Sequence, residues 1–443
     1  MLRTAVFIAV MLGLFVSGDA WAIPAFSKKY QAPCSLCHKP WPQLNDTGHK
    51  FKVNGYQLPD SEDGGETAKL SPGEGLFLDV APANPPISFR LQGGLTLIQP
   101  AQGPTSAQEN KFFCCVEGNA ASVQVGGTAA PNIAYWLDLA WGKEDVEEGY
   151  LRFVNWFGPG LINVDVGAMR VVDYDVISTG REWFGAPRVA LSGSPYNDNG
   201  GPVGLGAAGH DTGFRIYGRP SYGPFTYEAG VYTGSRITGS GEDDHDLAYT
   251  FMGRADIDKL AVSLRYWANK SGKLDQTVTT AAGETLVFPA DRAKTDENTQ
   301  EFILAARYLH PYFGVYAAYD RTSFSLDDRA IDGGARTLHQ ETINRSAFSL
   351  EAVWFVNAWF ETGLAYGLTR HDEYGQTVDG AAARRGGNDA SLLQWRVNVR
   401  PAQNLSIGLE AQLDLSPAAS RARSDGTEFD AQNKLVLQWD LSL

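Results

Sequence analysis

The chain has 443 residues, 48 of them glycine, with 12% aromatic and only 20% charged residues and a formal net charge of −14. That acidic balance, without a basic patch, excludes nucleic acid as a partner. The glycine-rich, charge-poor mix points away from a pair of soluble domains and toward one large sheet protein with many turns.

The N-terminus reads as a secretory signal. Arg3 supplies a positive start, and residues 5–16 supply an apolar run of roughly a dozen residues, too short to span a bilayer. Ala20-Trp21-Ala22 places small residues where a signal peptidase cuts. Residues 1–22 are therefore expected to leave, and the mature chain to begin near Ile23-Pro24. Beyond residue 22 no segment approaches the ~20 apolar residues of a membrane helix.

Cys34-Ser35-Leu36-Cys37-His38 follows. Two thiols three positions apart with an imidazole directly after them match c-type haem attachment. The thiols add to the two vinyl groups of one haem, and the next side chain then lies under the iron as axial ligand. Structural zinc needs four ligands, and a second Cys/His pair is missing. A thioredoxin-like dithiol expects a long helix, which Pro40 and Pro42 interrupt. One covalently bound haem c, held by Cys34, Cys37 and His38, is the expectation, on a small α-helical domain over 23–58. Residues 44–53 are predicted to form a short helix, and His49 on it is the local candidate for the distal ligand of the haem iron. A solvated His49 between Gly48 and Lys50, a methionine from the later chain (Met169 or Met252), a lysine such as Lys28 and an open site all remain. The second ligand sets the reduction potential.

Residues 59–86 are rich in Pro, Gly and acidic residues without periodicity and read as a linker. From residue 87 to 443 the chain repeats alternating stretches of about ten residues joined by short and long links in turn, the signature of an outer-membrane barrel. Phe225-Thr226-Tyr227-Glu228-Ala229-Gly230-Val231-Tyr232 and the C-terminal Leu435-Val436-Leu437-Gln438-Trp439-Asp440-Leu441-Ser442-Leu443 are examples. Short links fall at Gly158-Pro159-Gly160, Pro220-Ser221-Tyr222-Gly223, His310-Pro311, Asn357-Ala358 and Pro401-Ala402-Gln403-Asn404. Longer polar links fall near 99–120, 170–211, 234–245, 269–298, 322–343, 370–388 and 416–429. The fold class is mainly β: an antiparallel transmembrane barrel of about 16 strands, an even number that puts both termini in the periplasm. Asp165, Arg215, Glu228, Arg254, Arg265, Arg307, Asp320, Glu351, Arg396 and Glu410 are expected to line a wet lumen, because they would be costly against lipid. Tyr135, Trp141, Trp354 and Trp359 suit interfacial girdles, which a soluble sandwich or propeller does not need.

Acidic stretches at Glu144-Asp145-Val146-Glu147-Glu148, Glu242-Asp243-Asp244-His245-Asp246 and Asp327-Asp328 offer ligands suited to iron(II), or are plain solvated charge. The adjacent Cys114-Cys115 carries no assigned role.

Ile23-Pro24-Ala25-Phe26-Ser27, the Cys34 to His38 motif, Pro42-Gln43-Leu44-Asn45-Asp46-Thr47-Gly48 and Phe51-Lys52-Val53-Asn54-Gly55-Tyr56 together resemble the outer-membrane cytochrome–porin fusions linked to iron(II) oxidation. The resemblance covers that N-terminal stretch, and Leu443 departs from the aromatic residue that ends many such barrels. It implies an outer-membrane electron-transfer protein. Electrons would come from extracellular iron(II), or another redox metal, and pass through the haem to a periplasmic cytochrome or copper carrier. Any enzyme activity would be iron(II) oxidation by electron transfer, with no separate catalytic residue. One haem cannot bridge an apolar band ~25 Å tall, so the haem domain is expected to plug the barrel from the periplasmic side. A diffusion porin with a haem plug or redox sensor, and outward electron transfer to an extracellular acceptor, are the alternatives.

Overall fold

The computed structural model describes residues 26, 30, 32–38, 44–58, 70–73, 76–78, 87–98, 111–114, 121–130, 132–140, 146–171, 173–176, 210–233, 247–271, 276–279, 285–288, 297–331, 336–357, 359–371, 374–386, 390–402, 405–416 and 433–442. The predicted signal segment, Lys28, Trp141, Cys115, Glu144-Asp145 and the 242–246 cluster lie outside them.

Sixteen antiparallel strand positions close into a barrel. The first half comprises β1 (Ile87–Ile98), β2 (Lys111–Cys114 and Ala121–Ala130), β3 (Ile133–Ala140), β4 (Val146–Trp156), β5 (Ile162–Arg170), β6 (His210–Gly218), β7 (Phe225–Tyr232) and β8 (Ala248–Ile257). The second half comprises β9 (Leu260–Ser271), β10 (Glu297–Leu309), β11 (Phe313–Leu326), β12 (Ile343–Asn357), β13 (Phe360–His371), β14 (Ala390–Ala402), β15 (Leu405–Asp414) and β16 (Lys434–Ser442). The two pieces of β2 pair with successive halves of β1 and so share one position. β16 closes the ring on β1, from Lys434 opposite Ile98 to Ser442 opposite Arg90. Closure pairs the first wall strand with the last, as a lipid environment demands of a spanning sheet.

The two-residue period decides which way each side chain faces. Along β12, Arg345, Ala347, Ser349, Glu351, Val353 and Phe355 are buried toward the lumen. Phe348, Leu350 and Trp354 face outward and are exposed, as are Phe251, Leu264, Leu304, Leu364, Trp395 and Leu437 on other strands. So continuous an apolar exterior is tolerated by lipid, not by water, and the chain is an outer-membrane barrel. Exposed Trp156, Phe157, Tyr312, Trp354 and Trp359 gather at the short-link rim as an aromatic girdle.

The expected lumen charges are where the pattern put them. Of the ten, all but Glu410 are buried, and Glu410 is half-buried. They form ion pairs across strands: Arg215 to Glu228 at 3.2 Å, Arg265 to Glu301 at 3.0 Å, Arg396 to Glu351 at 3.0 Å, and Arg345 to Asp320.

Several links differ from expectation. Short links also occur at 131–132 and at 258–259, where Asp258 takes a left-handed φ of 53°. The 322–343 and 370–388 segments are largely strand: β11 runs on to Leu326, and Arg329–Ile331, Arg336–Gln340, Tyr374–Val378 and Ala381–Gly386 form a small sheet of their own. Each strand is too short for its alternation to stand out from a polar loop. Glu148 is not a loop residue but a buried lumen residue of β4, 2.8 Å from both Arg170 and His210. Within 59–86, Leu70–Gly73 pairs with Leu76–Leu78.

Orientation makes a test. Leu350 stands outward at the middle of β12, opposite Ala317 and Tyr366. Leu350→Arg is expected to cost about 2–4 kcal/mol, the midplane value for a lipid-facing arginine, measured by urea unfolding from vesicles. Arg345 on the same strand is fully buried on the other face, so an unchanged midpoint for Leu350→Arg would mean that the faces are misassigned.

Candidate functional site

The site begins with a helix cap. Helix α1 (Asp46–Val53) is capped by Asn45, whose backbone is extended and whose side-chain Oδ1 accepts the Gly48 N–H at 2.9 Å, the usual N-cap arrangement. The same side chain donates through Nδ2 to the Leu36 carbonyl at 2.9 Å, and the Asn45 backbone N–H donates to the Cys37 carbonyl at 2.9 Å. One residue therefore fastens the cysteine motif to the first turn of α1. His38 bridges to Leu44 in an isolated antiparallel pair. Cys34–Leu36 is a single 3-10 turn that ends one residue before Cys37. Cys37 and His38 are half-buried.

Gly48 allows this close approach. A Cβ there would collide with the Cys37 carbonyl and lie 2.8 Å from Leu44 Cδ2. Gly48→Val is expected to push the motif off α1, seen as faster protease cleavage within 33–45 while the barrel stays folded. Unchanged cleavage would refute the contact.

The donor set suits a haem c. Two thiols three positions apart are followed by an imidazole, on a loop held rigid by backbone and Asn45 contacts. Among the described residues no group of three or more His, Cys, Asp or Glu is arranged to hold a metal ion.

His49 lies one residue past Gly48, about 100° further round α1. It is buried rather than solvated, with Nε2 3.5 Å from Arg307 Nη2. Burial, reinforced by Arg254, Arg307, Lys52 and Arg219, holds its pKa well below the ordinary imidazole value. The ring is thus neutral, the form that ligates iron, and it faces the wall cation Arg307. Met169 and Met252 are buried in a wall cluster with Tyr150, Tyr217, Tyr232 and Trp267.

The helix and the turn after it lodge against the inner wall. The last carbonyls of a helix lack intrahelical donors, and here the barrel supplies them. Arg152 Nη1 donates to the Lys52 carbonyl at 2.8 Å and Asn163 Nδ2 to the Val53 carbonyl at 3.0 Å. Asn155 Nδ2 donates to Asn54 Oδ1 at 2.8 Å, and the Tyr222 hydroxyl bonds to the same oxygen. Left-handed Gly55 and Tyr56 turn the chain, which brings the Tyr56 hydroxyl to 2.7 Å from that of Tyr150. Phe26 stacks on Tyr56 at 4.9 Å, and Tyr56 meets the wall ring of Trp136 at 5.5 Å. Lys52 Nζ reaches Asp173 at 2.6 Å. Asp173 belongs to 173–176, which follows β5 and folds into the lumen, with Asp175 3.0 Å from Arg265. Ala134, Trp136, Arg152, Val154 and Asn163 all lie on the short-link halves of their strands, so the plug occupies that mouth. By the expected orientation, it is the periplasmic one.

Nothing in the sequence assigns a contact between plug and wall to Asn45, Lys52, Asn54, Arg152, Asn163, Arg219 or Tyr222. Asn45 falls inside the predicted 44–53 helix, whereas the structure starts the helix at Asp46 and makes Asn45 its N-cap. The wall residues carry no signal of that contact, since Arg152 reads as any lumen charge.

No protein-family model and no curated protein sequence matches the chain. Solved structures do. OmpT of Vibrio cholerae, an outer-membrane protein, aligns over 85% of this chain and 100% of its own at 14% identity with a TM-score of 0.52. The anion-selective porin of Comamonas acidovorans aligns over 81% of this chain and 98% of its own at 11% identity, also with a TM-score of 0.52. OmpF of Salmonella typhi aligns over 81% and 97% at 12% identity, with a TM-score of 0.52. At such identities the likeness is one of fold: this chain has the architecture of outer-membrane porins.

Proposed function

We infer that the protein moves electrons across the outer membrane through one haem c, taking them from extracellular iron(II) and passing them to a periplasmic cytochrome or copper carrier. One observation carries the reading: the Cys34 to His38 loop is stapled by Asn45 to a helix lodged in the short-link mouth of the barrel. A bound haem would supply a one-electron carrier at that mouth. Cys34 and Cys37 would hold it covalently, and His38 would be the proximal ligand. His49, whose ring faces Arg307, would be the candidate for a second iron ligand. Each iron(II) ion would lose one electron and leave as iron(III), and each carrier would gain one. With the plug at the periplasmic end, the donor approaches down the lumen.

The test is an optical spectrum of membrane-extracted protein from a host that matures c-type cytochromes, first oxidised and then mixed with iron(II). A reduced c-type spectrum is expected; no reduction at any pH tried would count decisively against iron(II) as donor. The porin-like fold favours a second reading, a diffusion channel whose haem plug only obstructs or senses. Solute flux through reconstituted protein would support it.

A further inference from the structure

Four cations surround His49. Arg219, Arg254, Arg307 and Lys52 all lie near enough to act on the buried ring. Arg254 is satisfied on its own strand by Asp256 at 2.7 Å, and Lys52 by Asp173 at 2.6 Å. Arg219 is only 3% exposed, and it pairs with Asp46, whose side chain is 57% exposed, so water screens that partner. Arg219 Nε donates to the Gly223 carbonyl at 2.5 Å, while Nη1 is buried without a hydrogen-bond partner among the described residues. A buried guanidinium with Nη1 unspent fits a carboxylate oxygen, which it would hold by a charge-assisted hydrogen bond.

The cations also stand next to the attachment loop. Arg219 meets Asp46 and Arg307 meets His49, while Asn45 and Gly48 touch Leu36 and Cys37. Positions 45 to 49 span only about 6 Å of helix. The same turn of α1 thus faces the cysteine motif on one side and wall arginines on another.

We propose that Arg219 and Arg307 of the barrel form a cradle for the two propionate carboxylates of the haem carried by Cys34 and Cys37. The proposal rests on the haem reading above and adds to it that the membrane barrel itself completes the cofactor site. Cations beside a haem favour its reduced, less positive state, so the wall raises the midpoint potential.

The test uses the full chain matured with haem, carrying Arg219→Gln, Arg307→Gln or both, titrated potentiometrically by absorbance, with mass spectrometry for the thioether adduct and circular dichroism for the barrel. The double variant is expected to keep its haem and to lower the midpoint by about 59 mV, a tenfold change in the one-electron equilibrium. Arg219→Lys and Arg307→Lys, which keep the charge and the fold, should restore most of it. Attached haem with an unchanged midpoint in the double variant overturns the cradle. So does a wild-type midpoint that follows added acetate at constant ionic strength, because the arginines would then serve a soluble carboxylate. Absence of any haem adduct in the wild type would instead overturn the reading beneath.

Discussion

Replacing Cys34 and Cys37 together by serine abolishes the covalent haem adduct and every iron(II)-driven absorbance change, while the barrel folds as before. The expectation follows from where the two residues stand. Neither belongs to a strand of the wall, so the hydrogen-bond ladder from β1 round to β16 is untouched. Serine cannot form a thioether with a vinyl group, so no covalent bond replaces those lost. A single Cys37→Ser change leaves one thioether position and should give partial retention with a shifted spectrum. His38→Ala should keep the adduct mass but lose the low-spin spectrum, because attachment and ligation belong to different residues. The measurement is intact mass and reduced-minus-oxidised absorbance on protein from the same host. Identical spectra from the double serine variant and the wild type would remove the cysteines from the site altogether.

The barrel was readable because its signal is redundant. Strand after strand repeats a two-residue period, and the lumen charges sit on the polar phase of it, so Asp165, Arg254 and Glu351 could be placed inside before any pairing was known. The cysteine motif was readable for another reason, since two thiols and an imidazole at that spacing suit one covalent chemistry. What stayed hidden depends on where two distant segments meet. Lys52 and Asp173 are 121 positions apart, and Arg307 and His49 are 258 apart. No local pattern announces that a wall arginine faces a helix rather than water. The small sheet built from the 329–340 and 374–386 segments was missed for a related reason: its strands are three to six residues long, below the length at which alternation separates strand from loop. Glu148 shows the converse error, where an acidic run masked the first inward residues of a strand.

Deleting residues 24–58 behind an intact signal segment is expected to raise single-channel conductance several-fold in planar bilayers with little change in unfolding. A barrel of 16 strands leaves an aqueous channel, and a helix with its side chains is about 10–12 Å thick. Helix α1, the Gly55-Tyr56 turn and the Phe26 and Tyr30 rings therefore take up much of one mouth, and 173–176 narrows the lumen above them. The barrel tolerates the loss because the plug adds no strand to its ladder. Arg152 keeps Asp165 at 2.8 Å, and Asn155, Asn163 and Tyr150 exchange their plug partners for lumen water. A gentler pair, Lys52→Ala with Asn54→Ala, removes the bonds to Asp173, Asn155 and Tyr222 and should give intermittent opening, since the Arg152 and Asn163 bonds to backbone carbonyls survive it. Equal conductance in all three proteins would show that the plug does not gate the lumen and would favour the diffusion-channel reading. A low wild-type conductance that rises stepwise through the pair to the deletion would leave the mouth with one occupant, the segment that carries the cysteine motif.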